Sequence, residues 1–333
     1  MRDQVQTLNY CAHAIEQFTS DERILRKVAP RAAAGHLRVI ELLRGAVKFI
    51  LPNCAELIDS RDVRQAHLDL LRLPFPCIAL EAPWIKEDGI DELAGFEQAA
   101  ATKRIALCWE EQRTGGLASL QPENRQPARG VFVLPIYWLP RSMRWVMGIG
   151  GTAVPYDATF ERANPDRMLE ASRIAHQGLA DVGLLKKQNS FRATPFIVLP
   201  EPFEQVKMEQ GVDRALAAVL LDSRDEVMAL IGACTVLNCA NVRTEDVLPS
   251  AALNKKRQAH GKQPFFTYKV LQLGDGQGAA AGMSPGGTHA SPRMHLRRGH
   301  VRVLPDKRTV WVRNSMVNTG STQGLVKKDY ALS

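Results

Sequence analysis

Zinc-ribbon spacing is missing from this 333-residue chain: its six cysteines (Cys11, Cys54, Cys77, Cys108, Cys234 and Cys239) never form a Cys-x-x-Cys pair. That removes the ligand pattern of zinc fingers and ribbons. The cysteines sit in apolar runs such as Pro76-Cys77-Ile78-Ala79-Leu80 and Ile105-Ala106-Leu107-Cys108-Trp109, and they read as buried free thiols, each a small hydrophobe. Neither a Walker phosphate loop nor an HExxH pair occurs, which argues against P-loop ATPase and zinc-protease chemistry. No helical pattern follows Gly148-Ile149-Gly150-Gly151, so a plain turn is expected there rather than a dinucleotide site. Met1-Arg2-Asp3-Gln4 opens without an apolar stretch, and no run of about 18 apolar residues is present. The expectation is a cytoplasmic protein without a membrane span.

What the chain has is an uneven charge. The formal total is +8, but residues 251–333 carry 14 Lys and Arg against three Asp and no Glu. The first 250 residues are close to neutral. A basic segment of this kind favours a polyanionic partner, because Lys and Arg release counterions when they meet phosphates.

Hydrophobic patterning divides the chain into three stretches. Residues 1–75 read as a helical segment, with one stripe (Leu37, Ile40, Leu43, Val47, Ile50, Leu51) predicting a helix that ends before Pro52, and a second through Leu57, Val63, Leu68, Leu71 and Leu73. Residues 76–250 read as an α+β body. Short apolar runs bounded by Pro, Gly and charge predict an antiparallel meander over 74–155, then a helix at 165–185, a strand at Phe196–Leu199 and one strong helix over 205–231. Residues 251–333 read as a small basic β-rich module: a strand at 265–271, a loop with six glycines between 274 and 287, and two strands joined at Pro305-Asp306-Lys307-Arg308. Leu325–Lys328 would add a last strand. The fold class predicted is α+β, with a helical N-terminal layer and a largely antiparallel sheet.

Thr288–Arg302 concentrates the chemistry, with three histidines (His289, His295, His300) and four arginines (Arg293, Arg297, Arg298, Arg302) in fifteen residues. A bulge at Arg298-Gly299 would place His295, Arg297, His300 and Arg302 on one strand face. Two readings follow. One is metal-independent phosphodiester cleavage, making the protein a nuclease with His295 and His300 as acid and base and the arginines stabilising charge on phosphate. The other is binding alone: Arg293, Arg297, Arg298, Arg302, Lys255, Lys256, Arg257 and Lys262 hold phosphates of RNA or DNA, while Phe266, Tyr268 and Trp311 offer stacking surfaces. A third possibility is a module that holds the domains or a protein partner, since basic strands also serve as solvated edges. No carboxylate or thiolate lies near the histidines, so no metal is predicted, and no cofactor is implied. Glu81, Glu87, Glu110 and Glu111 are read as solvated.

Several blocks point further: Leu73-Pro74-Phe75-Pro76 before a strand ending at Glu81, Asn254-Lys255-Lys256-Arg257 with Gly261-Lys262-Gln263-Pro264 and Tyr268, His289-Ala290-Ser291-Pro292-Arg293 with His295-Leu296-Arg297-Arg298-Gly299-His300, then Trp311 and Lys328-Asp329-Tyr330. Together they resemble the signature blocks of a group of bacteriophage and prophage proteins, best over 250–333. The resemblance implies a phage context, hence accessory roles such as host takeover, counter-defence or toxin function in a host cytoplasm. It leaves two partners open, nucleic acid or a host protein that the chain would inhibit or recruit. In the second case Trp138 and Trp145 would supply contact area.

Overall fold

A computed structural model describes residues 7–59, 63–86, 92–98, 100–110, 129–185, 189–273, 295–297, 300–312 and 315–317. The chain opens with helices α1 (Tyr10–Val28) and α2 (Pro30–Gly45), separated by Ala29, with Pro30 at the first position of α2, where its missing N–H costs no hydrogen bond. Then come β1 (Val47–Ile50), the short α3 (Gln65–Leu68), β2 (Cys77–Pro83), β3 (Glu92–Leu93), β4 (Phe96–Glu97), β5 (Lys103–Glu110), β6 (Gly130–Leu139), β7 (Arg144–Met147), β8 (Gly150–Pro155) and β9 (Phe160–Arg162). Next are α4 (Glu170–Asp181), β10 (Asn189–Phe191), β11 (Thr194–Ile197), and helices α5 (Pro200–Gln210), α6 (Val212–Asp222) and α7 (Arg224–Leu237). β12 (Val242–Val247), α8 (Ala251–Ala259), β13 (Tyr268–Leu273), β14 (His295–Arg297), β15 (His300–Val303), β16 (Thr309–Val312) and β17 (Ser315–Val317) follow.

One nine-stranded sheet organises the molecule, in the order β11-β8-β6-β5-β2-β1-β13-β12, with β7 also paired to β6. The expected meander is present: β2, β5, β6, β7 and β8 pair antiparallel. The sheet is mixed, because β1 runs parallel to both β2 and β13. Both faces are covered, which explains why β5 and β6 are apolar along most of their length. Ile105, Leu107 and Trp109 of β5 face α1 and α2, joining Ile15, Phe18, Val39 and Leu43; Ala106 and Cys108 face the opposite side, against Leu230, Ile231 and Cys234 of α7. The architecture is α+β, as patterning predicted.

Three expectations change. The helix predicted to reach residue 51 stops at Gly45, and Val47–Ile50 becomes a strand. The spacing of Leu43, Val47 and Ile50 fits a helix, but Val-Lys-Phe-Ile gains backbone partners on both sides when it lies between β2 and β13. Of the second stripe, only Gln65–Leu68 is helical among the described residues. The single helix over 205–231 is three: Gly211, at φ 84°, ends α5 in a conformation that favours glycine, and Ser223 separates α6 from α7. Within the C-terminal stretch, β13 lies inside the main sheet and Asn254–Arg257 belongs to a helix.

Gly150 and Gly151 pack β8 against its neighbours. A methyl group on Gly150 would sit 1.9 Å from the Phe196 carbonyl oxygen, and one on Gly151 would sit 2.0 Å from that of Val133. Gly150→Ala is expected to cost about 3 kcal/mol by forcing β8 off β11. A thermal unfolding midpoint equal to that of the parent protein would refute this packing.

Candidate functional site

A buried carboxyl ties three distant segments together. Glu81 of β2 is 0% exposed. Its Oε2 accepts from the Tyr10 N–H (3.0 Å), and its Oε1 accepts from the Cys11 N–H (2.7 Å) and the Tyr268 hydroxyl (2.8 Å). Helix α1 needs this arrangement because Asn9, at φ 57°, makes no side-chain cap, so its first N–H groups find their acceptor on the sheet. Burial pushes the Glu81 carboxyl above its ordinary range, against the lowering effect of its donors, and burial with the adjacent carboxyl drives the Tyr268 phenol far up. Beside them the buried Lys48 donates to the carbonyls of Ala46 (2.6 Å) and Arg44 (3.1 Å) and lies 3.6 Å from the Phe266 ring centroid. Burial lowers its pKa. Glu81 is therefore interior, contrary to the solvated reading. Tyr268, also 0% exposed, offers no ring face to a base.

Next to this node lies an aromatic cleft of about 520 Å³. The β6–β7 register sets Trp138 opposite Trp145, with ring centroids 5.8 Å apart, and Tyr10 approaches Trp145 at 5.4 Å. Lys103 pairs with Trp138 across β5–β6, and its ammonium lies 5.2 Å from the Trp138 ring and 5.6 Å from Tyr10. His13 and Glu16 of α1 complete the rim. Burial lowers the His13 pKa, and its ring meets Phe265 edge-on at 5.7 Å.

Glu16 joins the cleft to α8. It accepts from the Arg257 guanidinium and from the Gln263 N–H (3.1 Å). Arg257 also donates to the Gln263 carbonyl (2.8 Å) and stacks on Phe265 at 3.9 Å, while Asn254 exchanges two hydrogen bonds with the Phe265 backbone. One face of α8 is thus fixed to the body. Lys255, Lys256 and Lys262 are exposed, and none enters an ion pair among the described residues. Of the basic block predicted to hold phosphates, Arg257 is spent on this internal contact.

The remaining predicted residues lie in the C-terminal ladder or outside the described residues. β15 and β16 form the expected hairpin, with Lys307 at φ 65° in its turn, and Arg302 is exposed. Trp311 is partly buried, and its backbone exchanges two hydrogen bonds with the Asn241 side chain, each of 2.8 Å. His295 of β14 pairs with Val317 of β17, and His300 of β15 pairs with Val312 of β16. The bulge itself, Arg293, Arg298, His289, Glu87, Glu111, the glycine-rich loop, the strand at 325–328 and Lys328-Asp329-Tyr330 lie outside the described residues, as do the side chains of His295, Arg297 and His300. Glu110 accepts from the Tyr156 hydroxyl.

A second buried ionic group lies under the other sheet face. Arg104 of β5 donates to Glu226 (2.9 Å) and lies 3.9 Å from Asp225, with its guanidinium 4.9 Å from the Trp84 ring. Burial pushes Asp222 up to about 6 and Glu226 up to about 7; at Asp225 burial acts the same way, but Arg104, Arg224 and Lys86 together hold the carboxyl below its usual range. Arg104 Nε and Glu226 Oε2 have no hydrogen-bond partner among the described residues. Within those residues no group of three or more His, Cys, Asp or Glu is placed to hold a metal ion, and no helix is long and apolar enough to cross a membrane. Comparison with known proteins finds no matching family, curated relative or solved structure.

Sequence reasoning did not find Tyr10, His13, Lys103 or the Glu81 node; Trp138 and Trp145 were visible only as contact area. Two outcomes follow. Glu81→Ala, which strands two helix N–H groups and the Tyr268 hydroxyl, is expected to cost roughly 4 kcal/mol in urea unfolding, and Tyr268→Phe about 1–2 kcal/mol. Equal costs would contradict the node. Asp222 and Glu226 titrate higher in the folded chain than in the unfolded one, so their contribution is fully present below about pH 4 and is lost as pH rises through about 7. Unfolding free energy is expected to fall by roughly 4 kcal/mol between pH 5 and pH 8. Glu226→Gln should flatten that slope, and an unchanged slope would refute the assignment.

Proposed function

We propose that the protein binds nucleic acid through its basic C-terminal stretch, in the accessory role that the phage-like blocks imply. The observation that carries this reading is α8: Asn254 and Arg257 lock one face to the body, which leaves Lys255, Lys256 and Lys262 as exposed cations without ion-pair partners among the described residues. A helix held in this way presents charge at low entropic cost to a phosphate backbone. Arg302 and Lys307, exposed on the β15–β16 hairpin, add cations on the segment that meets the chain just before β12. Binding is the reading put forward, because the exposed Lys255, Lys256 and Lys262 meet a phosphate backbone through charge alone.

Fluorescence anisotropy with labelled RNA and DNA oligonucleotides tests it. The expected result is a linear fall of log affinity with log salt, and the triple variant Lys255→Glu, Lys256→Glu, Lys262→Glu should bind at least tenfold more weakly, with the slope reduced by about 2. No binding at low salt, or an unaltered slope in the triple variant, would overturn the proposal. Retention of a single host protein from nuclease-treated lysate by a chain that binds no oligonucleotide would assign the basic face to a protein partner instead.

A further inference from the structure

We infer that the cleft between α1 and the β6–β7 hairpin is a pocket for one unpaired nucleobase, which makes the ligand a single strand rather than a duplex. The inference rests on the nucleic-acid reading above and adds to it the form of the ligand and the residues that would select it.

The cleft, at about 520 Å³, lies within the roughly 300–1,000 Å³ typical of small-molecule pockets. Its walls combine ring faces with a polar rim. Tyr10 and Trp145 are buried and form a fixed floor, whereas Trp138 is only partly buried. Around these rings stand Lys103, His13, Gln17 and Ser20, which supply donors and acceptors at the margin. A nucleobase has the matching shape: a flat apolar face to lay on indole, and an edge of carbonyl, amino and ring-nitrogen groups to meet the rim. Lys103 makes no ion pair among the described residues, and its ammonium, 5.2 Å from the Trp138 ring, is placed to meet a base carbonyl or the next phosphate.

Position argues for nucleic acid over another flat ligand. The rim residue Glu16 is the acceptor that fixes Arg257, so the pocket is joined through one side chain to the helix bearing Lys255 and Lys256. A strand bound along those lysines has only to extend past the Arg257–Glu16 contact to reach the cleft that Glu16 lines. In a duplex each base is stacked on both faces and paired along its edge, so none can lie on Trp138 without being flipped out, at a cost of a few kcal/mol. A single strand enters without that penalty.

The test uses the full chain with a mixed-sequence single strand and a hairpin duplex of equal charge, at one salt concentration, read by anisotropy and by tryptophan emission. The expected result is at least tenfold tighter binding of the single strand, with quenched emission. Trp138→Ala should abolish the preference and the quenching, Trp138→Phe should keep the preference, and Lys103→Gln, a change on the rim outside the core, should weaken the single strand severalfold more than the duplex. Equal, salt-dependent binding of both forms by the parent chain would overturn the cleft inference and leave the basic-helix reading intact. So would a Trp138→Ala protein that still prefers the single strand. Absence of binding to either form would remove both.

Discussion

The Glu81 carboxyl is the contact on which the arrangement of layers depends. From a position on β2 it bonds both the start of α1 and the first residue of β13. Carrying a carboxyl into an interior with no exposure is costly unless its oxygens are fully used, and here three donors converge on them. Because the carboxyl on a central strand bonds a helix and a late strand, the bonds also set how far α1 advances over the sheet. That position brings Tyr10 beside Trp145 and His13 beside Phe265, so the cleft inherits its shape from a contact beneath it.

Charge is segregated by depth as well as along the chain. The inner cations are each committed: Arg104 to Glu226, Lys48 to backbone carbonyls and the Phe266 ring, Arg257 to Glu16. The outer cations of α8 are free of such contacts among the described residues. A basic block is therefore two populations that sequence counting merges. Arg257 stands next to Lys256 in the chain, yet it serves the fold, while its neighbour faces solvent.

The strands of the meander were legible because each is a compact apolar run closed by turn residues, and burial on both faces makes such runs continuous. β1 was not, since Leu43, Val47 and Ile50 satisfy helical spacing and the pairing that decides the matter lies in β2 and β13. Long helical periodicity hid the breaks at Gly211 and Ser223, because apolar residues keep helical spacing through all three helices although α7 buries them in a different cluster from α5 and α6. Glu81 looked solvated for a plain reason: its partners are 70 and 187 residues away in sequence. Lys103, Trp138 and Tyr10 are brought together by strand register and helix placement, which leave no local trace in the chain. The basic character of α8 was visible from composition alone, but which of its cations are exposed was not.

The place of β13 in the sheet also bears on how the protein is made. β1 has β2 on one side, but its other edge stays open until residues 268–273 have left the ribosome, and β12 waits for the same segment. More than 200 residues thus separate β1 from this partner, and the nascent chain carries an unpaired parallel edge for that interval. Contacts of such long sequence separation form slowly. The terminal stretch therefore acts as a completion step for the fold as well as the carrier of its charge.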